Sequence, residues 1–405
     1  MISAHEAQNI ILEKTSRLGN EEVPLSLSLH RYLAEPITAP IDLPPFDNAA
    51  MDGFAIQSGD TKTASAQNPV TLKVVGTIAA GDAPSQAVLK SGEYFRIMTG
   101  APVPDGADAV VPFEEAVHTP LEVRIIKPVP SGSNIRLAGE DVKKDQRILD
   151  VGEKITSRTI ALLAALGVYR IPVFRHPNIK ILVTGSELTA VGHPLHDGKI
   201  YNSNGPALTA ALQEIDIIPQ IVVSSADVVS DLKTFFTASE EADALITIGA
   251  VSTGDFDFIP QVLKGIGAEI AFHKVSIKPG KPLLFATWKG KPIFGLPGNP
   301  VSALMVFERF VRPALLKMMG ANNFLRRRGI AVATETLSGS LGKENYLRGI
   351  VESSGNGSHA RSAGKQGSAH LLPLARANAI LIVPPEKEEI RAGETVEFET
   401  FLEEL

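Results

Sequence analysis

Between residues 177 and 320, short apolar runs alternate with amphipathic stretches, and each run ends in a turn of small or polar residues. "NIKILVTGSEL" reads as a buried strand and turn, "NGPALTAALQEI" as a helix and "IDIIPQIVVSS" as a strand. "DVVSDLKTFFTASEE" is helical, "ADALITIGAVSTGD" is strand then loop, "KPIFGL" is a strand, and "NPVSALMVFERFVRPALLKMMG" is one long helix. Such alternation predicts a mostly parallel sheet with helices on both faces. Open sheets of this kind bind ligands at the carboxyl ends of their strands. The loops that follow each strand are therefore where chemistry is sought.

The flanks have a different texture. The opening residues, with Ile2, Ile10, Ile11, Lys14 and Leu18 at helical spacing, predict an amphipathic helix stopping near Gly19. From Leu43 to about Val129, frequent Gly and Pro between short runs such as "VTLKVVGTIAA" predict a small all-β unit. "ITSRTIALLAALGVYRIPVF" predicts a helix capped by Thr156 or Ser157, ended by Gly167 and followed by a strand. Past Asn322, "GIAVATETL", "YLRGIVES", "AILIVPPE" and "ETVEFET" are strand-like again, with "SSGNGS" a turn.

Charge narrows the function classes. With 39 basic and 45 acidic residues the net charge is −6, so the chain as a whole does not attract nucleic acid or membrane, and any anion must be caught locally. The absence of cysteine excludes disulfides, thiolate metal sites and cysteine nucleophiles. No basic segment followed by an apolar core opens the chain, and no apolar run approaches membrane-spanning length. A cytoplasmic location is the expectation.

Four loops fit the strand-end rule. "VTGSEL" brings Gly185 and Glu187, "SSAD" brings Asp227, and "GAVSTGDFD" brings Gly249, Ser252, Asp255 and Asp257. "LPGNPVSA" brings Pro297, Gly298, Asn299, Pro300 and Ser302, with Asn299 as N-cap and Pro300 as first helical residue. A helix N-terminus behind a glycine is suited to an anion, and Lys278 and Lys281 of "KPGKP" add charge. The carboxylates suit Mg2+, which prefers hard oxygen ligands and phosphate oxygens. Each loop read alone is also an ordinary turn with a solvated side chain, and co-location is what raises them together. Asp52 in "LPPFDNAAMDGFAI" reads on spacing as an Asp-Gly turn. Thr99 lies in a rigid polar loop, "RIMTGAPVP", that is also readable as a turn. His193 and His196 are separated by Pro194 and lack a third ligand, so no zinc site is expected. Neither a Walker A sequence nor a nucleophile elbow is present.

In order along the chain, "PPFDNAAMDGFA", "RIMTGAPVPDGADAVVPFE", "GEDV", "VTGSEL", "GDFDF", "KPGKP" and "GLPGNPVSAL" resemble the molybdopterin molybdenumtransferase (MoeA) family, which includes the E domain of gephyrin. The resemblance implies an elongated, L-shaped subunit of α/β and β parts. They are a linking part from residues 1–45 with 131–175, a β-rich part at 46–130, a three-layer α/β/α molybdopterin-binding part at 176–321 and a small β-barrel at 322–405. It implies a homodimer with its active site between subunits, and insertion of molybdate into adenylyl-molybdopterin with Mg2+-assisted release of AMP. A handover of substrate from a molybdopterin adenylyltransferase is a further implication.

By that resemblance Lys278, Lys281 and Ser302 face the oxyanion, and Arg348 and Ser368 contribute to the same pocket. Asp52, Glu187, Asp227 and Asp257 match the functional carboxylates, either as Mg2+ ligands (Asp52, Glu187, Asp257) or as groups that orient water. Thr99 matches a polar contact, and Pro297 and Pro300 shape their loop. Two departures stand out. The family's Ser-Gly-Gly-x-Ser loop is here Ile248-Gly249-Ala250-Val251-Ser252, and Asp227 stands alone where paired aspartates are common. The competing readings are adenylyl transfer to molybdopterin and a non-catalytic dimeric scaffold.

Overall fold

Across the central six-stranded sheet the order is Gln220–Ser224, Ile179–Thr184, Ala244–Ile248, Lys291–Leu296, Leu284–Trp288 and Glu269–His273. This is seen in a computed structural model that describes residues 1–83, 88–224, 229–249, 258–355 and 357–401. The first four strands are parallel and the last two antiparallel. Register places Thr184 beside Ser224, Val183 beside Ile248, and Ile248 beside Leu296. The four loops singled out above therefore leave from one edge. The antiparallel pair was not foreseen: Lys289 and Gly290, with φ of 51° and 77°, form the two-residue left-handed turn that folds Leu284–Trp288 onto Lys291–Leu296.

Alternating side chains give the sheet two buried faces. Ile179, Ile181, Val183, Ile246 and Leu296 pack on one side with the helices Asn204–Gln213 and Pro300–Val306. Leu182, Leu245 and Ile293 pack on the other with Val229–Thr237 and Ile259–Gly265, the latter a helix the sequence reading omitted. The N-terminal helix, Ala4–Glu13, ends six residues before Gly19 and buries Ala4, Ala7 and Ile11 in the first of these cores. The expected long helix contains a π turn at Phe307–Val311, just before Pro313. Proline lacks the N–H that would bond the Arg309 carbonyl, and Gln8 Nε2 donates to that carbonyl instead, at 3.1 Å.

On either side lie β units. Gly53–Ile56, Val70–Ile78, Glu93–Ile97, Ala109–Pro112, Val117–His118 and Glu122–Ile125 form a second six-stranded sheet. Asn20–Pro24 pairs with Arg170–Phe174 beside the helix Ser157–Ala165, whose N-cap Thr156 accepts from the Thr159 N–H. The last five strands, Arg328–Ala333, Glu344–Ser354, Gly357–Ser362, Ala379–Val383 and Thr395–Thr400, close on themselves because Glu344–Ser354 pairs with both Gly357–Ser362 and Ala379–Val383. Exposed surface totals 19827 Å², against about 15,000 Å² for a compact monomer of 43.1 kDa, as a multi-part, elongated chain requires. Among the described residues no helix is long and apolar enough to cross a membrane.

The barrel is tied to the α/β part by buried charge. Arg309 of the π turn pairs with Glu399 of the barrel, and its guanidinium lies 5.1 Å from the Tyr346 ring centre. The neighbouring Glu308 pairs with Arg326 at 2.6 Å. The side chains of Arg309 and Glu399 are 7% and 4% exposed, and without Arg309 the buried Glu399 keeps only the half-exposed Arg328, at 3.0 Å. Arg309→Ala is expected to lower stability by about 3 kcal/mol in chemical denaturation. Wild-type stability would show that the pair does not tie the barrel down.

Candidate functional site at the sheet edge

The chain leaves Ile179–Thr184 toward one neighbour, Gln220–Ser224, and later returns on its other side as Ala244–Ile248. This is a topological switch point, where diverging loops open a crevice. A pocket of about 320 Å³ lies there. Gly185, Glu187, Gly249, Pro297, Gly298, Asn299 and Pro300 all line it, so seven residues expected from sequence are brought together. A larger cavity, about 800 Å³, is lined by Tyr32, Arg312 and Arg327 among others, and contains none of the expected residues.

Glycine is required at the pocket floor. Gly249 has φ of +88°, and a Cβ there would stand 2.6 Å from the Thr184 carbonyl oxygen. A Cβ on Gly298 would lie 3.8 Å from the Gly249 Cα, so the two loops meet backbone to backbone. Two helices, Asn204–Gln213 and Pro300–Val306, have their first residues in the lining of this pocket. Asn202 Oδ1 accepts from the Gly205 N–H at 3.0 Å, capping the first. Asn299 holds the N-cap position of the second without capping it; its Nδ2 donates to Ser368 Oγ at 3.3 Å instead. Ser302, one turn on, is 4% exposed and does not line the pocket.

The basic turn and the barrel form the next layer. Ile277–Lys278 pairs with Glu344–Asn345 of the barrel, and Lys278 Nζ donates to Ser340 Oγ at 2.9 Å. Gly280 has φ of +108°, and a Cβ there would lie 2.6 Å from Val306 Cγ2, which seats the "KPGKP" turn against the helix. Lys281 is exposed and adjoins Pro282, a pocket residue. Arg348 does not reach the pocket. It is wholly buried, and its Nη2 donates to the carbonyls of Lys365 and Gly367, each at 3.1 Å. It thereby fixes the loop that carries Ser368 to Asn299. Burial pulls its pKa down to about 10, so it stays charged at neutral pH.

Asp52 and Thr99 come together elsewhere. Asp52 Oδ1 accepts from both the N–H and the hydroxyl of Thr99, each at 2.7 Å. Neither residue lines the sheet-edge pocket. Among the described residues no three His, Asp or Glu side chains gather into a metal-binding group. Asp227, Ser252, Asp255 and Asp257 lie outside the described residues. Tyr201, Asn202 and Asn204 line the pocket and escaped the sequence reading, although "YNSNG" carries two asparagines at a helix start.

The backbone bond from Thr99, followed by its hydroxyl bond, holds the Asp52 carboxyl below its ordinary value of 3.8. Because the folded value is the lower one, these bonds stabilise the fold above the unfolded value and are lost as pH falls through the folded value. Thr99→Val keeps the backbone bond and removes the other, so the Asp52 pKa is expected to rise but stay below 3.8 in an NMR titration. An unchanged value would remove the Thr99 hydroxyl from the set of groups that hold this charge.

Residues 2–167 match the family described as MoeA N-terminal region (domain I and II), 180–317 that described as probable molybdopterin binding domain, and 331–401 that described as MoeA C-terminal region (domain IV). The molybdopterin molybdenumtransferase of Staphylococcus aureus (strain Mu50) is 36% identical over 98% of this chain and 94% of its own length. The enzyme of the same name from Staphylococcus epidermidis is 35% identical over 100% and 98%. A crystal structure of the molybdopterin biosynthesis MoeA protein from Pyrococcus horikosii superposes with a TM-score of 0.84 at 32% identity, covering 99% of each chain.

Proposed function

The chain belongs to the molybdopterin molybdenumtransferase (MoeA) family, and from that premise we propose that it inserts molybdate into adenylyl-molybdopterin and releases AMP. The observation that carries this is the pocket at the switch point, where two helix N-termini, backbone-lined glycines and Glu187 converge. Helix N-termini favour the ligand's phosphates, while the role proposed for Lys278 and Lys281, on the basic turn that meets the pocket at Pro282, is to attract the molybdate dianion. Glu187 offers one hard oxygen ligand, which fits Mg2+ held by a carboxylate and substrate phosphates. When bound, that ion would neutralise charge on the phosphoanhydride. Asp227, Ser252 and Asp257 complete this proposed set from the loops after the second and third strands.

The role proposed for Asp52 is to orient the water that cleaves the anhydride, with the two bonds from Thr99 fixing the direction of its carboxylate. Because Asp52 and Thr99 do not line the pocket, we infer that a second copy of the chain supplies them in a homodimer, with the two half-sites facing. The substrate then arrives from an adenylyltransferase, and the setting is cytoplasmic. With purified adenylyl-molybdopterin and Mg2+, AMP release is expected only when molybdate is added, and Asp52→Ala is expected to slow it by about a hundredfold or more. Release that is indifferent to molybdate would contradict insertion. A fully active Asp52→Ala would remove Asp52 from the chemistry.

A further inference from the structure

Asn204 is 9% exposed, lines the sheet-edge pocket, and is satisfied on one side only. Its Nδ2 donates to the Gly298 carbonyl at 2.7 Å, which fixes the orientation of the amide. Its Oδ1 is buried and, among the described residues, has no hydrogen-bond partner. Folded proteins pair nearly all such acceptors, because an unpaired one forfeits its hydration without return. Thr247 Oγ1 is also unpaired, but it is wholly buried and does not line the pocket. Among the described residues only Asn204 combines a buried, unpaired acceptor with a place in the pocket wall.

An acceptor selects for donors. Helix N-termini and lysines already supply the donors that phosphates and molybdate need, and those anions present oxygen acceptors in return. A donor must come from elsewhere on the ligand. The amino-pyrimidinone edge of a pterin carries N–H donors on a flat ring. The wall beside Asn204 suits such a ring: Leu188, Ile200 and Tyr201 line it, and the Tyr201 hydroxyl is tied to the His193 carbonyl at 3.1 Å.

Resting on the function proposed above, we propose that Asn204 is the residue that reads the heterocycle: its Oδ1 accepts an N–H of the pterin edge while its Nδ2 holds the Gly298 turn in place. One side chain thus couples recognition of the ring to the loop that begins the helix Pro300–Val306. A site built to pair a ligand N–H rejects ligands that cannot supply it more strongly than an apolar wall would.

The test measures binding to the full-length protein of three probes separately: a phosphorylated fluorescent pterin, AMP and molybdate. Asn204→Leu removes both the acceptor and the bond to Gly298, and is expected to weaken pterin binding by about ten- to a hundredfold, more than it weakens molybdate binding. Asn204→Asp keeps an acceptor and is expected to retain pterin affinity to within a few-fold while lowering kcat, because the bond to Gly298 is gone. Thermal melts of both variants separate these effects from misfolding. Unchanged pterin binding in Asn204→Leu would overturn the assignment, as would an equal loss in the two variants. Loss of AMP binding in place of pterin binding would also overturn it and give the acceptor to the nucleotide. Failure of the wild-type protein to bind any pterin would count against the proposed function rather than against Asn204.

Discussion

The pocket exists because two backbones meet where side chains would normally stand. Gly249 turns away from its strand in a left-handed conformation against the Thr184 carbonyl, and Gly298 approaches it from the adjacent strand end. Parallel register puts these turns level with one another, since Ile248 is aligned with both Val183 and Leu296. A methyl at position 249 would meet backbone, which cannot yield as a flexible side chain can. Everything else at the site is hung on this contact: the capped helix at Asn204, the second helix at Pro300, and Glu187 on the facing turn.

Around that floor the structure is layered from more distant parts of the chain. The barrel supplies Ser340 to Lys278 and Ser368 to Asn299, and the buried Arg348 fixes the loop behind Ser368. Charge pairs at the π turn hold the barrel in position to do this. A residue with no surface, such as Arg348, can therefore matter to the pocket through the geometry of its loop. Mutational sensitivity at Arg348 would report that geometry rather than contact with an anion.

Local chemistry was legible in the sequence and long-range placement was not. The Thr156 cap, the Gly167 stop and the strand-end loops at Gly185, Gly249 and Pro297 follow from turn and cap preferences that act within a few residues. Asp52 looked like a plain Asp-Gly turn because its partner, Thr99, is 47 residues away. Arg348 was expected at the site by resemblance alone, and the strand-like run around it gives no sign of its complete burial. The π turn escaped because the side chain that satisfies the Arg309 carbonyl belongs to Gln8, 301 positions earlier. Asn204 was passed over because a helical pattern shows where its Cα goes, whereas the orphaned oxygen appears only when its neighbours are placed.

The central claim is that the sheet-edge pocket and the Asp52–Thr99 pair are two half-sites of one centre, joined between copies of the chain. Mixing two inactive variants, Asp52→Ala and Glu187→Ala, under conditions that exchange subunits tests it most directly. Each mixed dimer then holds one intact centre, and statistical exchange predicts recovery of about a quarter of wild-type AMP release. Exchange that is complete by mass spectrometry, yet restores no activity, would contradict the claim.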